Sequence, residues 1–215
     1  MIPNHALIKT LARDHPSLTL VMASKYIDPE DFKRFNAAGI THFGESRVEA
    51  FLEKMDEAQG VFTWHFLGTL QSKKVKKMIH RIDYLHSLDR ISLAKAIDKH
   101  RREPLKCFVQ INISGEPQKH GVLPENAPAF LNNLDAFDTI EVIGLMGIAE
   151  NTDDKKRLRS QFARLRTLRD ALAKTHPGVV NLSMGMSNDY TIAIEEGATH
   201  IRLGRTLIKE DDHEK

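Results

Sequence analysis

The chain has 215 residues, 41% of them hydrophobic and 28% charged, the balance of an ordinary soluble globular protein with length enough for one large core. A formal net charge of +2 gives no argument for nucleic acid or an anionic membrane as a partner, and no apolar run reaches the roughly 18 residues that spanning a bilayer needs. The one cysteine, Cys107, excludes an internal disulfide; it sits in the apolar run KCFVQINI and reads as a core thiol, in keeping with a reducing cytoplasm.

The opening MIPNHALIKTLARDHP lacks the long apolar core of a signal peptide. LTLVMA (18–23) is the first strand candidate, and Lys25 stands at its end. PEDFKRFNAAG follows as a helix, with Asp28 as N-cap, Pro29 at the first helical position and Gly39 at the close. ITHF (40–43) precedes the helix SRVEAFLEKMDEA, whose Val48, Phe51, Leu52 and Met55 share a face. TWHFL (63–67) is followed by KKVKK (73–77), a solvated helix face without the interleaved aromatics that would argue for RNA. IDYLH (82–86) leads to DRISLAKAIDKH, with Asp89 as N-cap. KCFVQINI (106–113) leads to PENAPAFLNNL. IEVIGLM (140–146) leads to the long DDKKRLRSQFARLRTLRDALAKTH, where Leu158, Phe162, Leu165, Leu168 and Leu172 make one apolar stripe. VNLSM (180–184) and THIRL (199–203) complete a set of eight strands.

Strands that alternate with helices pair in parallel through right-handed crossovers. Eight such units predict a single α/β domain over residues 1–215, a closed (βα)8 barrel of the TIM type, with an open doubly wound sheet as the alternative. Small or polar residues gather at the strand ends: Lys25, Gly44 to Ser46, Gly68, Ser87, Asn112, Ser114, Gly147, Ser183 to Ser187, and Gly204. In a barrel these ends converge on one mouth, where active sites are built.

LSMGMSND (182–189) and IRLGRTLI (201–208) follow the seventh and eighth strands, where such barrels often bind phosphate. Gly185 and Gly204 permit close backbone approach, Ser183 and Ser187 carry hydroxyls, and the N–H groups of Gly204 and Arg205 open the next helix. Either motif alone fits an ordinary strand-to-helix turn; together on adjacent strand ends they favour an anion. Barrel closure puts strand 1 beside strand 8, so the Lys25 amine faces that site. An amine partly withdrawn from water attacks aldehydes readily. An amine opposite a phosphate clamp predicts pyridoxal 5′-phosphate held as a Schiff base on Lys25. Arg202, if it meets the pyridine nitrogen, donates a hydrogen bond without giving up its proton. The ring then remains a poor electron sink, which disfavours transamination.

The stretches SKYID, HFGES, WHFLGTLQSKK, LHSLD, VQINISGEPQKHGV, IGLMGIAE and LSMGMSNDYTIAIEEGATHIRLGR, in this order, closely resemble the pyridoxal phosphate homeostasis protein family. The resemblance covers nearly the whole chain. It implies a barrel of the alanine racemase N-terminal type, a covalent cofactor on Lys25, and cofactor contacts from Ser46, Ser183, Met184, Ser187, Gly204 and Arg205, with Arg202 near the ring nitrogen. The chain departs from the family in having Ser46 where asparagine is usual, Lys73 where asparagine is usual, and RTLIKEDD without the usual glycine.

Racemases of this fold take a second catalytic residue, a tyrosine, from a separate C-terminal β domain. Only about a dozen residues follow the eighth strand here, which predicts a carrier and regulator of the cofactor, with a racemase-like enzyme of low activity as the alternative. Apo-enzymes that use the cofactor are candidate recipients, and the chain is expected to be a monomer. Tyr26, next to Lys25, would point away from it if the strand continued, and reads as packing. His42, His65 and His86 fall in three successive strands without metal-ligand spacing in any one of them, and read as structural or pocket-lining. A cofactor-free Schiff-base aldolase would also use Lys25 but would show no visible absorbance. In INISGEPQKHG (111–121), Asn112 and Ser114 could reach the mouth, and Lys119 and His120 sit on a loop that either closes over it or is an ordinary connection.

Overall fold

The computed structural model describes residues 1–116 and 119–209. Pro117, Gln118 and the chain from residue 210, which carries the last part of RTLIKEDD, lie outside the described residues. Eight strands, β1 Thr19–Ala23, β2 His42–Glu45, β3 Thr63–Phe66, β4 Tyr84–Leu88, β5 Leu105–Ile111, β6 Ile140–Gly147, β7 Asn181–Ser183 and β8 His200–Leu203, pair in parallel and in sequence order. The barrel closes where β1 runs beside β8 from Thr19↔His200 to Met22↔Leu203. The closed barrel, not the open sheet, is the fold.

The outer ring is α1 His5–Asp14, α2 Phe32–Ala37, α3 Val48–Glu57, α4 Val75–Met78, α5 Ile91–His100, α6 Ala127–Leu134, α7 Lys155–Leu172 and α8 Tyr190–Glu195. Each buries the apolar stripe that its sequence provides. In α7, Leu158, Phe162, Leu165 and Leu172 are buried, and Asp154 caps the first turn by accepting from the N–H groups of Lys156 and Arg157. The helix expected after Pro29 begins as a 3-10 turn, Pro29–Asp31, before α2, and Gly39 ends it at φ +102°. Asp89 does not cap α5: Arg90 holds the N-cap position, and the Asp89 carboxylate accepts from its guanidinium at 2.6 Å.

The two faces of the strands differ in chemistry. Outward, Phe43 and Trp64 pack with Phe32 of α2 at ring separations of 4.6 and 5.4 Å. Inward, where such barrels usually carry branched aliphatics, His65, Tyr84, His86, Phe108 and His200 stack against one another. Cys107 is fully buried, and burial pushes its thiol well above the ordinary range.

Candidate functional site

The strand ends meet at one mouth, and β1 delivers Lys25 to it in an unexpected way. The strand stops at Ala23, and Ser24–Tyr26 forms a 3-10 turn. This turn re-aims the side chains, so Tyr26 does not point away from Lys25: the Lys25 amine lies over the Tyr26 ring, 5.2 Å from its centroid. The Arg205 guanidinium is 5.3 Å from the same ring. Tyr26 thereby links the amine after β1 to the loop after β8. Lys25 is exposed at the rim, not partly withdrawn from water as the sequence suggested.

The turn is fixed from below. Ser24 is fully buried, and its hydroxyl donates to the Gly44 carbonyl at 3.0 Å and to Glu45 Oε2 at 3.3 Å. Lys54 of α3 pairs with Glu45 at 2.8 Å and donates to the Ser24 carbonyl. Burial pushes the Glu45 carboxyl up, but Lys54 and the N–H groups of Ser46 and Arg47 outweigh it, leaving the group below its usual range. The sequence places Glu45 at a strand end without giving it this role, and does not single out Lys54. Lys54 lies on the next helix but one, and no local pattern marks it.

Ser46 is exposed beside a mouth cavity of about 420 Å³ that Gly68, Thr69, Asn112, Lys119 and His120 also line. Gly68 is required there, since a Cβ on it would stand 2.1 Å from the Ser46 carbonyl oxygen. A second mouth cavity, about 390 Å³, holds Met186, Ser187, Asp189 and Arg205, and the two share Lys119 and Ile148. The loop after β5 is a mouth wall. Asn112 accepts from the Gly115 N–H at 3.1 Å and donates to the Glu116 carbonyl at 2.9 Å, while Lys119 pairs with Glu116 at 2.5 Å. A cavity of about 540 Å³ at the opposite end, near Asp135 and His176, gathers no comparable set of groups.

The loop after β7 turns at Gly185, φ +94°, where a Cβ would stand 2.6 Å from that of Ala193. Asp189 folds back to accept from the Met186 N–H at 2.6 Å, as the third residue of a helical turn does toward its N-cap in a capping box. Ser187 is exposed at the mouth. Gly204 heads a single 3-10 turn, Arg205–Leu207, in place of a full helix, so little dipole acts there. What remains is hydrogen bonding: among the described residues no backbone hydrogen bond takes the N–H of Ser187, Gly204 or Arg205. A Cβ on Gly204 would fill the space toward the Ala23 oxygen and the Tyr26 ring, 3.6 and 3.8 Å away. Glycine keeps open the gap between the amine and this cradle. Met184 is not brought to the mouth: its side chain is in the core and its N–H donates to the His200 carbonyl.

Arg202 and Ser183 lie deeper. Arg202 Nη1 donates to Ser183 Oγ at 2.6 Å and Nη2 to the Gly147 carbonyl at 3.1 Å. Burial lowers the guanidinium to about 10, with Asp189 opposing, so it remains cationic at neutral pH. Ser183 is fully buried, and its hydroxyl also bonds His86 Nδ1 at 2.8 Å.

The donor set suits a phosphorylated aldehyde: a primary amine at the rim, a hydroxyl, a guanidinium and free backbone N–H groups facing it, and a second guanidinium below. No group of three or more His, Cys, Asp or Glu able to hold a metal occurs among the described residues.

Residues 29–211 match the alanine racemase N-terminal domain family. The pyridoxal phosphate homeostasis protein of Aquifex aeolicus is 37% identical over 89% of this chain and 86% of its own length. That of Pseudomonas aeruginosa is 35% identical over 94% of this chain and 88% of its own. Among solved structures, PipY of Synechococcus elongatus PCC7942 with pyridoxal phosphate bound superposes with a TM-score of 0.86 at 32% identity, covering 96% of this chain and all of PipY. Alanine racemase from Corynebacterium glutamicum, at 16% identity and a TM-score of 0.78, shares the fold over 61% of its length. The chain belongs to the pyridoxal phosphate homeostasis protein family.

Proposed function

We propose that this protein binds pyridoxal 5′-phosphate through the Lys25 amine and serves in the homeostasis of that cofactor. The observation that carries the reading is the Lys25–Tyr26–Arg205 arrangement, which puts a primary amine across a glycine-lined gap from an anion cradle. When bound, the cofactor supplies an aldehyde that condenses with an amine and releases water. The Ser24–Tyr26 turn presents that amine, and the Glu45–Lys54 pair stops the turn from unwinding. Ser187, Arg205 and the N–H groups of Ser187 and Gly204 hold the phosphate, and Ser46 bounds the other side of the mouth. Arg202, held by Ser183, would serve the ring nitrogen as a permanent donor. The two bonds it makes here use two of its five N–H groups, leaving donors for the ring nitrogen.

Tyr26 is the tyrosine at the mouth; Tyr84 is stacked on His65 inside the barrel, and Tyr190 is on α8. Tyr26 is occupied between two cations, which favours holding the cofactor over turning it over. Apo-enzymes that use the cofactor are the proposed recipients, and the carrier works as a monomer.

Supplying pyridoxal phosphate should generate visible absorbance, and borohydride should then fix a phosphopyridoxyl mass on the peptide containing Lys25. Lys25→Ala should lose that adduct. A wild-type protein that stays colourless with the cofactor would overturn the reading. Deuterium entering the α-carbon of alanine from solvent at the rate of a true racemase would favour an enzyme instead.

A further inference from the structure

Three histidines from successive strands are joined head to tail inside the barrel. His42 Nδ1 lies 2.9 Å from His65 Nε2, and His65 Nδ1 lies 2.8 Å from His86 Nε2. His86 Nδ1 then reaches Ser183 Oγ at 2.8 Å, and Arg202 reaches the same oxygen from the other side. One end of the chain is wet: His42 is half-buried, at the start of β2, and borders a cleft with Ser17, Thr19 and Thr41 at the base of the barrel. The other end is the dry Ser183–Arg202 pair under the mouth.

Each link joins the Nδ1 of one ring to the Nε2 of the next, so the three tautomers are coupled. Arg202 can only donate, so the Ser183 oxygen accepts from it, and the serine proton goes to His86 Nδ1. That choice makes His86 Nε2 the donor to His65 Nδ1, and His65 Nε2 the donor to His42 Nδ1. All three rings are then neutral and carry their proton on Nε2. If His42 becomes the cation, its Nδ1–H must donate inward. The shift runs along the hydrogen bonds: His65 gives its Nε2 proton to His42 Nδ1, His86 gives its own to His65 Nδ1, and Ser183 gives its hydroxyl proton to His86 Nδ1 and takes one up from solvent on the mouth side. Ser183 then receives two hydrogen bonds and turns its new proton away. The set gains one proton, the positive charge rests on His42 at the base, the two buried rings stay neutral, and a hydroxyl reorients at the top.

We propose that His42, His65 and His86 form a tautomer relay that couples protonation at the base of the barrel to the orientation of the Ser183 hydroxyl beside Arg202. The charge environment favours a relay over a charged core. His65 and His86 are held well below the ordinary histidine range by burial and then by the neighbouring histidines and, for His86, Arg202. His42 faces Asp83 ahead of β4, as well as His65 on β3, and burial lowers it while Asp83 opposes. Tyr84 on β4 stacks on His65 and carries Lys106 of β5 over its ring, and His200 on β8 flanks His65 and His86. Among the described residues the Ser183 hydroxyl bonds only His86 Nδ1 and Arg202 Nη1, and neither accepts from it in this state. An acceptor atom on a ligand at the mouth therefore favours the same relay state as a proton on His42, and each should strengthen the other. This consequence, unlike the relay, rests on the reading that pyridoxal phosphate lies against Ser183.

The test is imidazole nitrogen NMR of the ¹⁵N-histidine-labelled full chain between pH 8 and pH 5. At pH 8 the pyrrole-type signals of all three rings should belong to Nε2. As His42 titrates, His65 and His86 should exchange pyrrole-type and pyridine-type signals, staying neutral, with the midpoint of His42. In His42→Gln they should stop responding over that range. Tautomers that do not move while His42 titrates, or that titrate separately to the cation, overturn the relay. Cofactor affinity is then compared: the wild type should gain affinity across the His42 titration relative to His42→Gln. A relay that behaves as expected in a protein that binds no pyridoxal phosphate overturns the proposed function and leaves the relay standing. Binding with equal pH dependence in both proteins overturns the coupling.

Discussion

At the scale of single residues, the amine proposed to react is placed by a turn as much as by a strand. Lys25 can reach across the mouth because the backbone leaves the strand two residues before it and because Ser24 is anchored on three sides. Lys54→Met would strand the Glu45 carboxylate, 2% exposed, without its cation. Breaking one side of a buried pair costs about 3–5 kcal/mol. The expected outcome is a large fall in the urea midpoint together with slower formation of the borohydride-stable adduct, while a variant with wild-type stability would show that the pair does not hold the turn. That Lys25, Ser187, Gly204 and Arg205 gather at one mouth was legible in the sequence because glycine and hydroxyl clusters after apolar runs mark strand ends. Tyr26 was misread, since the alternation of a strand was extended through a turn that the sequence does not announce. Met184 was carried along with its neighbours, although strand alternation turns its side chain into the core. The Glu45–Lys54 pairing escaped because it is set by packing between elements.

At the scale of elements, the pattern of strands and helices follows directly from the spacing of apolar residues, and the errors lie at the ends. The second strand was placed at 40–43 and runs His42–Glu45, because the left-handed Gly39 leaves Ile40 to pack into the core before pairing begins. Caps depend on which partner is nearest: Asp154 finds the free N–H groups of α7, whereas Asp89 finds Arg90. Asp154→Ala should therefore cost about 1 kcal/mol, read as a lower urea midpoint with unchanged cofactor adduct. Asp89→Ala should not produce the loss expected of a missing cap.

At the scale of the whole molecule, the unusual property is an imidazole-rich interior. Burial depresses His42, His65, His86 and His200, the last to about 4. The unfolded chain titrates these groups near 6.5, so between the folded and unfolded values it binds more protons than the native state, and stability rises with pH. Their contribution is complete above about pH 6.5 and is lost on acidification, at up to about 1.4 kcal/mol per pH unit for each histidine. Asp189, raised by burial, acts with the opposite sign but is one group against four. Urea midpoints should fall steadily from pH 7.5 to pH 5; a flat profile would contradict the neutral interior. Light scattering should return a mass near 24.4 kDa for the carrier acting as a monomer. Closure of the barrel also orders events in time. The amine follows β1, the first strand to leave the ribosome, and the proposed cradle follows β7 and β8, the last. A nascent chain thus carries an unescorted lysine for almost the whole of its synthesis. In the proposed site the amine and the cradle come together only when the final strand has emerged and docked, so the complete site forms after the barrel closes.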